Sequence, residues 1–156
     1  MMDRSTATTT EVATATPGRH HVEFVMGTAI SIDIRDHDVP DSAVGDVVAW
    51  LHHVDATFSP YKDDSPITAL GRGETTLDDA GPEIRSVLQL CETLRHDSGG
   101  VFDVFAIPAP NGTTLDPSGL VKGWSIERAA EILEQHGCSD FCINAGGDIA
   151  IRGNPT

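Results

Sequence analysis

Basic residues are scarce in this sequence. Its 156 residues include only 10 Lys and Arg against 24 Asp and Glu, which gives a net charge of −14. This scarcity argues against nucleic acid and anionic membranes as partners, because both are bound by clustered Lys and Arg. It leaves room for a divalent cation, which carboxylates favour. The sequence also lacks any apolar run near the ~20 residues that a membrane-spanning helix needs.

Cysteine is scarce too, and the three present are an odd number, which indicates a reducing compartment. Cys138 and Cys142 are spaced C-x3-C but have no second ligand pair, so we predict small buried side chains rather than a zinc site. Residues 1–19 are rich in Thr and Ala and lack the apolar stretch of a signal peptide. We therefore expect a disordered tail on a cytoplasmic protein.

Apolar periodicity in the rest of the chain predicts an α+β fold with mixed or antiparallel sheet segments and three main helices. Apolar residues alternate through residues 20–35 on both sides of Gly27, which indicates one long strand or two strand segments about a bulge. The predicted helices are 41–58, 81–96 and 125–136, with a short fourth helix starting at Pro66. Asp41 or Ser42, and Asp64 or Ser65, are the expected helix caps. Short strands are predicted at 140–144 and 149–151.

The segment Leu115–Trp124 reads as a loop that enters a helix N-terminus. Such an end leaves backbone N–H groups unpaired and commonly binds an anion. The segment contains a carboxylate (Asp116), a hydroxyl (Ser118) and a lysine (Lys122). Two interpretations stay open on these residues alone. One is an ordinary helix start, capped by Asp116 or Ser118 with Lys122 in solvent, and the other is a phosphate site.

Four further loop features allow both a structural and a ligand-binding interpretation. Gly27 marks either a plain bulge or a close approach of backbone to ligand. Tyr61 is either a surface tyrosine or a ring that stacks on a planar ligand. Gly99-Gly100 ends a helix and leaves the backbone of the following residues free to approach a ligand. Gly146-Gly147 followed by Asp148 is a common hairpin turn.

The order and spacing of these motifs resemble the ApbE family, the FAD:protein FMN transferases. The resemblance runs from about Val22 to Gly153 and rests on five segments in order. They are Met26-Gly27-Thr28; Phe58-Ser59-Pro60-Tyr61 with Asp64-Ser65; Gly99-Gly100-Val101-Phe102-Asp103; Leu115-Asp116-Pro117-Ser118-Gly119 with Lys122-Gly123; and Asn144-Ala145-Gly146-Gly147-Asp148-Ile149.

The resemblance implies an enzyme that cleaves FAD at its pyrophosphate, joins FMN to a Thr or Ser of a target protein, and releases AMP. It implies Mg²⁺ as a cofactor, with the backbone carbonyl of Gly119 as one ligand. The positions that match the family's FAD contacts are Met26, Tyr61, Val101, Phe102, Asp103, Asp116 and Lys122. Asp148 is a candidate for a catalytic acid, with a turn-forming role as the alternative.

The residue types suit that ligand. Tyr61 and Phe102 offer aromatic surface to flat rings, and Asp103 and Asp116 can accept hydrogen bonds from adenine or ribose. Lys122 is a point charge suited to the phosphates. One departure is small: Val101 stands where the family usually has a smaller residue.

The larger departure is length. The family continues beyond the Gly-Gly-Asp turn, and its second half supplies carboxylate and threonine ligands to the metal. We therefore expect residues 20–156 to be the N-terminal portion of an ApbE-like domain whose side-chain metal ligands are absent, and strand edges at Ile34 and Ile151 to lack neighbours. Those edges would be completed by a C-terminal half or by a second copy. The alternatives to a transferase are a non-catalytic flavin-nucleotide-binding remnant and an inactive fragment.

Overall fold

Four antiparallel strands and four helices make up the part of the chain that the computed structural model describes, residues 18–110 and 112–154. The strands are β1 (Arg19–Val25), β2 (Thr28–Ile34), β3 (Phe141–Ala145) and β4 (Asp148–Arg152). The helices are α1 (Asp41–Phe58), α2 (Pro66–Gly71), α3 (Pro82–Asp97) and α4 (Ser118–Gln135). The predicted α+β class is confirmed. Most of the predicted tail lies outside the described residues, and its last residue, Arg19, begins β1.

Residues 20–35 form two strand segments, which was one of the two predicted alternatives, but a hairpin turn joins them and not the predicted bulge. β1 and β2 pair antiparallel along their full length, and Met26 and Gly27 form the two-residue turn between them. Both turn residues have positive φ, 53° for Met26 and 70° for Gly27, as a type I′ hairpin turn requires. Glycine adopts this conformation at little cost, whereas methionine rarely does, so the Met-Gly pair gave no hairpin signal.

The sheet has the strand order β1-β2-β3-β4, which places β2 in its interior. The expectation that Ile34 would lack a neighbour was therefore wrong, since Ile34 pairs with Arg19 on one side and Phe141 on the other. Ile151 does lie on an edge strand of this sheet, β4. The helices cover one face of the sheet. The opposite face carries the exposed apolar side chains of the two outer strands: Val22, Phe24, Ile149 and Ile151.

The N-terminus of α2 has the predicted cap, whereas those of α1 and α4 do not. α1 has the predicted bounds, but Pro40 occupies its N-cap position and no side chain caps it. α2 follows the prediction, because the Ser65 hydroxyl accepts the Thr68 N–H at 3.3 Å and Pro66 opens the helix. α4 starts before the predicted Ser125, with Pro117 at its N-cap, between the two residues that were expected to cap a helix start there, Asp116 and Ser118. Within the described ranges, no helix is both long and apolar enough to cross a membrane.

Two hydrophobic clusters hold the fold together, and α4 contributes to both. The first lies between the sheet and helices α1 and α4, and includes Ile30, Ile32, Leu51, Leu133, Phe141 and Ile143. The second lies beneath it, where Val54 and Phe58 of α1 meet α3, Leu115 and Val121. Burial of each large aliphatic side chain contributes about 1.5–3 kcal/mol. Two half-buried side chains, Met26 and Trp50, pack against both clusters. The indole N–H of Trp50 also donates to the Ser125 carbonyl at 2.9 Å.

The prediction of buried cysteines is confirmed for Cys138 but not for Cys142. Cys91 and Cys138 are buried in separate clusters, and Cys142 is half-buried on β3. Burial raises the pKa of the Cys91 thiol to about 11, so this thiol stays protonated and unreactive at neutral pH. Burial also raises the pKa of Cys138, and the charge of Asp36 adds to the effect.

Candidate functional site

A pocket of about 300 Å³ opens where the two clusters meet. Three parts of the chain enclose it: the β1–β2 turn, the end of α1 with the loop that follows, and the first two turns of α4. Its floor is apolar and consists of Val54, Phe58 and Val121. Its polar lining comes from Asp55, Ser59, Lys62, Ser118 and Lys122. Three of the predicted FAD contacts, Met26, Tyr61 and Lys122, meet in this pocket although they lie far apart in the sequence.

The hairpin turn places Met26 at the pocket. Its positive φ turns the chain sharply between β1 and β2, and its side chain packs against both hydrophobic clusters. The Met26 sulfur lies 4.0 Å from the Ser125 hydroxyl on α4. A Cβ on the neighbouring Gly27 would meet no atom within 4 Å. Gly27 is therefore required for its backbone conformation, and it leaves open space beside the pocket.

Tyr61 stands at the mouth of the pocket with 78% of its surface exposed. The loop that carries it is fixed by local hydrogen bonds, because the Ser65 hydroxyl donates to the Ser59 carbonyl at 2.8 Å and also contacts the Thr68 hydroxyl at 3.0 Å. The loop is thus ordered while the ring is uncovered. An exposed aromatic ring on a fixed loop is suited to stacking on a planar ligand.

Lys122, in the second turn of α4, is half-buried in the pocket wall. Among residues 18–110 and 112–154, its ammonium group has no hydrogen-bond or ion-pair partner. Every other lysine and arginine in those ranges contacts a carboxylate or a backbone carbonyl: Arg19, Arg35, Lys62, Arg72, Arg85, Arg95, Arg128 and Arg152. An unpaired cation in a chain of net charge −14 is available to bind an anion.

Asp116 connects the neighbouring loop to the start of α4. Its Oδ1 accepts the Ser118 backbone N–H at 2.9 Å and also contacts the Ser118 hydroxyl. Its own N–H donates to the Val104 carbonyl at 2.9 Å. The carboxylate therefore satisfies a first-turn N–H of α4 from one position before the N-cap, so the predicted cap by Asp116 or Ser118 was wrong in position. The residue at the N-cap position is Pro117.

The segment Val101-Phe102-Asp103 lies against the first turn of α4 but does not line the pocket. A Cβ at Gly119 would be 3.5 Å from Cε2 of Phe102, which shows that the half-buried Phe102 ring faces this turn. The Asp103 carboxylate accepts the Phe105 N–H at 2.9 Å. Val101 is 90% exposed. The structure thus places Phe102 of this segment beside Gly119, and the Asp116 N–H hydrogen bond to Val104 holds the end of the segment near the start of α4.

Asp148 begins β4 directly after the Gly146-Gly147 turn and is exposed. Its Oδ1 lies 4.0 Å from the Cβ position of Gly123, so it faces α4 outside the pocket lining. The turn itself is stabilised by Asn144, whose side-chain oxygen accepts the Gly147 N–H at 3.2 Å. Asp148 is therefore near the predicted site without being part of the pocket.

The described residues do not form a complete site for the magnesium ion that the resemblance implies. Across residues 18–110 and 112–154, no three His, Cys, Asp or Glu side chains are grouped so that they could hold a metal. Gly119, the predicted carbonyl ligand, is in the first turn of α4. One carbonyl is too few ligands for Mg²⁺, which requires near-octahedral oxygen coordination.

Two polar residues of the pocket, Asp55 and Lys62, were not predicted from the sequence. Lys62 Nζ donates to Asp55 Oδ2 at 2.6 Å. The sequence signal for Lys62 was its position directly after Tyr61, a predicted FAD contact. Behind the pocket floor, Trp124 packs edge-to-face on Phe58 at 5.5 Å and on Trp50 at 5.4 Å. These tryptophans therefore provide a fluorescence signal close to the site.

The sequence matches the model of the ApbE family over residues 26–111 and 106–156. No curated protein matches it. Solved structures of ApbE proteins share the fold, and three of them are compared with this chain. Flavin transferase ApbE from Vibrio cholerae is 18% identical, with a TM-score of 0.74, over 88% of this chain and 60% of that one.

The flavinyl transferase ApbE from Pseudomonas stutzeri is 17% identical, with a TM-score of 0.75, over 90% of this chain and 62% of that one. The ApbE protein from Thermotoga maritima is 15% identical, with a TM-score of 0.69, over 87% and 59%. At these identities the likeness establishes the fold alone. The chain spans about 60% of the length of the structures that it matches.

Proposed function

The chain belongs to the ApbE family, and from that premise we propose that it is part of a flavin transferase with FAD as its substrate. Two of the matching structures are named as flavin or flavinyl transferases. We propose further that residues 20–156 are the N-terminal portion of the transferase domain, and that the protein works in the cytoplasm.

One observation carries this proposal: the pocket collects Met26, Tyr61 and Lys122. The exposed Tyr61 ring can stack on a flat ring system of the nucleotide, and the unpaired Lys122 ammonium can bind its pyrophosphate. A volume of about 300 Å³ is at the small end for ligand pockets. The pocket would therefore hold one part of FAD, and the rest would lie along the flank formed by Phe102, Asp103 and Asp116.

The proposed reaction is phosphoryl transfer to a Thr or Ser hydroxyl of a target protein. The hydroxyl oxygen forms a bond to the phosphorus of the FMN moiety, the bond from that phosphorus to the bridging oxygen breaks, and AMP leaves. Asp148, beside the second turn of α4, is the candidate catalytic acid.

We propose Mg²⁺ as the cofactor and the Gly119 carbonyl as one of its ligands. A divalent ion of this kind polarises phosphoryl oxygens and stabilises the leaving group. Since the described residues do not form a complete metal site, we derive no step of the reaction through the ion.

The first experiment is a titration of the full chain with FAD, with and without Mg²⁺, followed by flavin and tryptophan fluorescence. Saturable FAD binding that weakens about tenfold or more in Lys122→Met supports the proposal, because a hydrogen bond to a charged group contributes about 1.5–3 kcal/mol. Arg128→Met is the matched control, because Arg128 lies on the same helix, pairs with Glu131 and does not line the pocket. It should leave FAD binding unchanged.

AMP release from FAD, measured by chromatography in the presence of Mg²⁺, separates transfer chemistry from binding. Release with water as the acceptor requires the same bond to break and shows cleavage, and FMN joined to a Thr- or Ser-containing peptide shows transfer. Saturable binding without any AMP release would support the alternative, a flavin-nucleotide-binding protein that does not catalyse transfer. A folded chain that binds no FAD would contradict both.

A further inference from the structure

The sequence contains only two lysines, Lys62 and Lys122. They are sixty residues apart, on a loop and a helix, yet both line the same pocket. The other cations of the described chain are arginines, and none of these lines it. Lysine differs from arginine in being a compact charge on a flexible stem that can change partners. The pocket is therefore lined by both of the chain's lysines, the cations that can most readily change partners.

The two lysines differ in their present partners. Lys62 Nζ lies 2.6 Å from Asp55 Oδ2, whereas Lys122 has no partner among residues 18–110 and 112–154. Asp55 also lines the pocket and lies in the last turn of α1. Its side chain is 18% exposed, and that of Lys62 is 44% exposed. The pair is therefore open on the Lys62 side, where an incoming anion could reach the ammonium.

We propose that Lys62 is a second phosphate-binding residue, and that it stays paired with Asp55 until an anionic nucleotide enters the pocket. The proposal rests on the proposed function in one respect, that the ligand is a flavin nucleotide. A pyrophosphate carries two negative charges, and Lys122 balances only one of them. Lys62 balances the second by exchanging the Asp55 carboxylate for a phosphate oxygen. Asp55 competes with the ligand for this ammonium, and Lys62 itself favours phosphorylated flavins over neutral riboflavin.

The test compares the dissociation constants of riboflavin, FMN and FAD at one ionic strength for the full chain and three variants. Lys62→Met should weaken FAD binding about tenfold or more and leave riboflavin within twofold, because only the charged ligand uses this contact. Asp55→Asn should tighten FAD binding and leave riboflavin unchanged, because the competing carboxylate is gone. Arg72→Met is the matched control, since Arg72 pairs with Asp63 outside the pocket lining.

The outcomes separate this inference from the proposed function. If the wild-type chain binds FAD but Lys62→Met binds it equally well, the inference fails and the proposed function stands. An equal loss of riboflavin and FAD in Lys62→Met would also overturn it, because Lys62 would then act through the shape of the pocket. Weaker FAD binding in Asp55→Asn would overturn the competing role of Asp55. A folded wild-type chain that binds no FAD would overturn both.

A second measurement needs no variant. Acylation of lysine by an amine-reactive reagent can be followed peptide by peptide, because only two side chains react. FAD should protect both Lys62 and Lys122, while riboflavin should leave Lys62 reactive. Protection of Lys122 alone by FAD would overturn the inference.

Discussion

The carboxylate of Asp36 joins the end of β2 to the turn that leads into β3. Its Oδ2 accepts the backbone N–H groups of Ser139 at 2.9 Å and of Asp140 at 2.8 Å, and its Oδ1 accepts the Ser139 hydroxyl at 2.9 Å. Burial alone would raise the pKa of Asp36, but these hydrogen bonds together outweigh it and hold the pKa below its usual value. The loops that flank the centre of the sheet are thus fixed by one side chain.

We expect Asp36→Ala to lower the free energy of unfolding by about 2 kcal/mol at pH 7. Three hydrogen bonds to a charged acceptor are lost. Such bonds contribute about 1.5–3 kcal/mol each when buried, but this site is partly open to water, and screening lowers each contribution to below about 1 kcal/mol. Asp36→Asn keeps one oxygen for the two backbone N–H groups and should lose about half as much. Urea unfolding followed by tryptophan fluorescence measures both values.

The effect of Asp36→Ala should depend on pH. Because the folded pKa of Asp36 lies below the unfolded value of about 3.9, its contribution is complete above pH ~4 and is lost as the pH falls through the folded pKa. The difference between wild type and Asp36→Ala should therefore shrink in acid. Asp33→Ala is the control, since Asp33 is exposed on the outer face of β2 and should change stability by less than about 0.5 kcal/mol. The reasoning is refuted if wild type and Asp36→Ala have the same free energy of unfolding at pH 7, or if their difference in acid is as large as at pH 7.

Three further predictions concern the site, the thiols and a turn. Tyr61→Ala should weaken riboflavin and FAD alike, by about tenfold, because stacking does not depend on phosphate; titration of both ligands checks this, and a loss confined to FAD would contradict it. In the folded chain Cys142 should react first with a thiol reagent, whereas the buried Cys91, whose pKa is about 11, should react only as the protein unfolds; equal rates would argue against this burial. Gly146→Ala should cost about 1–2 kcal/mol in thermal unfolding, because its φ is +64° and a Cβ would lie 2.9 Å from a threonine hydroxyl. Gly99→Ala, with similar φ but open space, should cost less.

Elements with clear periodicity were predictable from the sequence. The bounds of α1 follow from its apolar stripe, and the start of α2 follows from Ser65 and Pro66. The predicted helix 125–136 fell short of the start of α4 because Gly119 and Gly123 are poor helix formers, and in the fold the packing of Val121 compensates for them. The interpretation of Asp116 or Ser118 as a cap came within one residue of the true start. Tertiary contacts overrode local propensity at this point.

The candidate site was predictable only through the family resemblance. Composition gave no reason to group Met26, Tyr61 and Lys122, because a turn, a loop and a helix bring them together only after α1 and α4 have packed on the sheet. The Lys62–Asp55 pair was invisible for a related reason. The pair joins a helix to the loop that follows it, at a separation of seven residues. Sequence patterns identify neighbouring side chains three or four residues apart on one helix, and they do not apply once the chain has left the helix.

The strand order has a consequence for the rate and route of folding. Each hairpin closes through a two-residue turn, but the pairing of β2 with β3 joins residues more than a hundred positions apart, with all four helices between them. Hairpins form in about 1–10 μs, whereas so distant a pairing must first overcome the entropy of closing a long loop. The sheet should therefore be completed late, in a slow step. Until then the facing edges of β2 and β3 carry unpaired backbone groups, and refolding should give lower yields as the protein concentration rises.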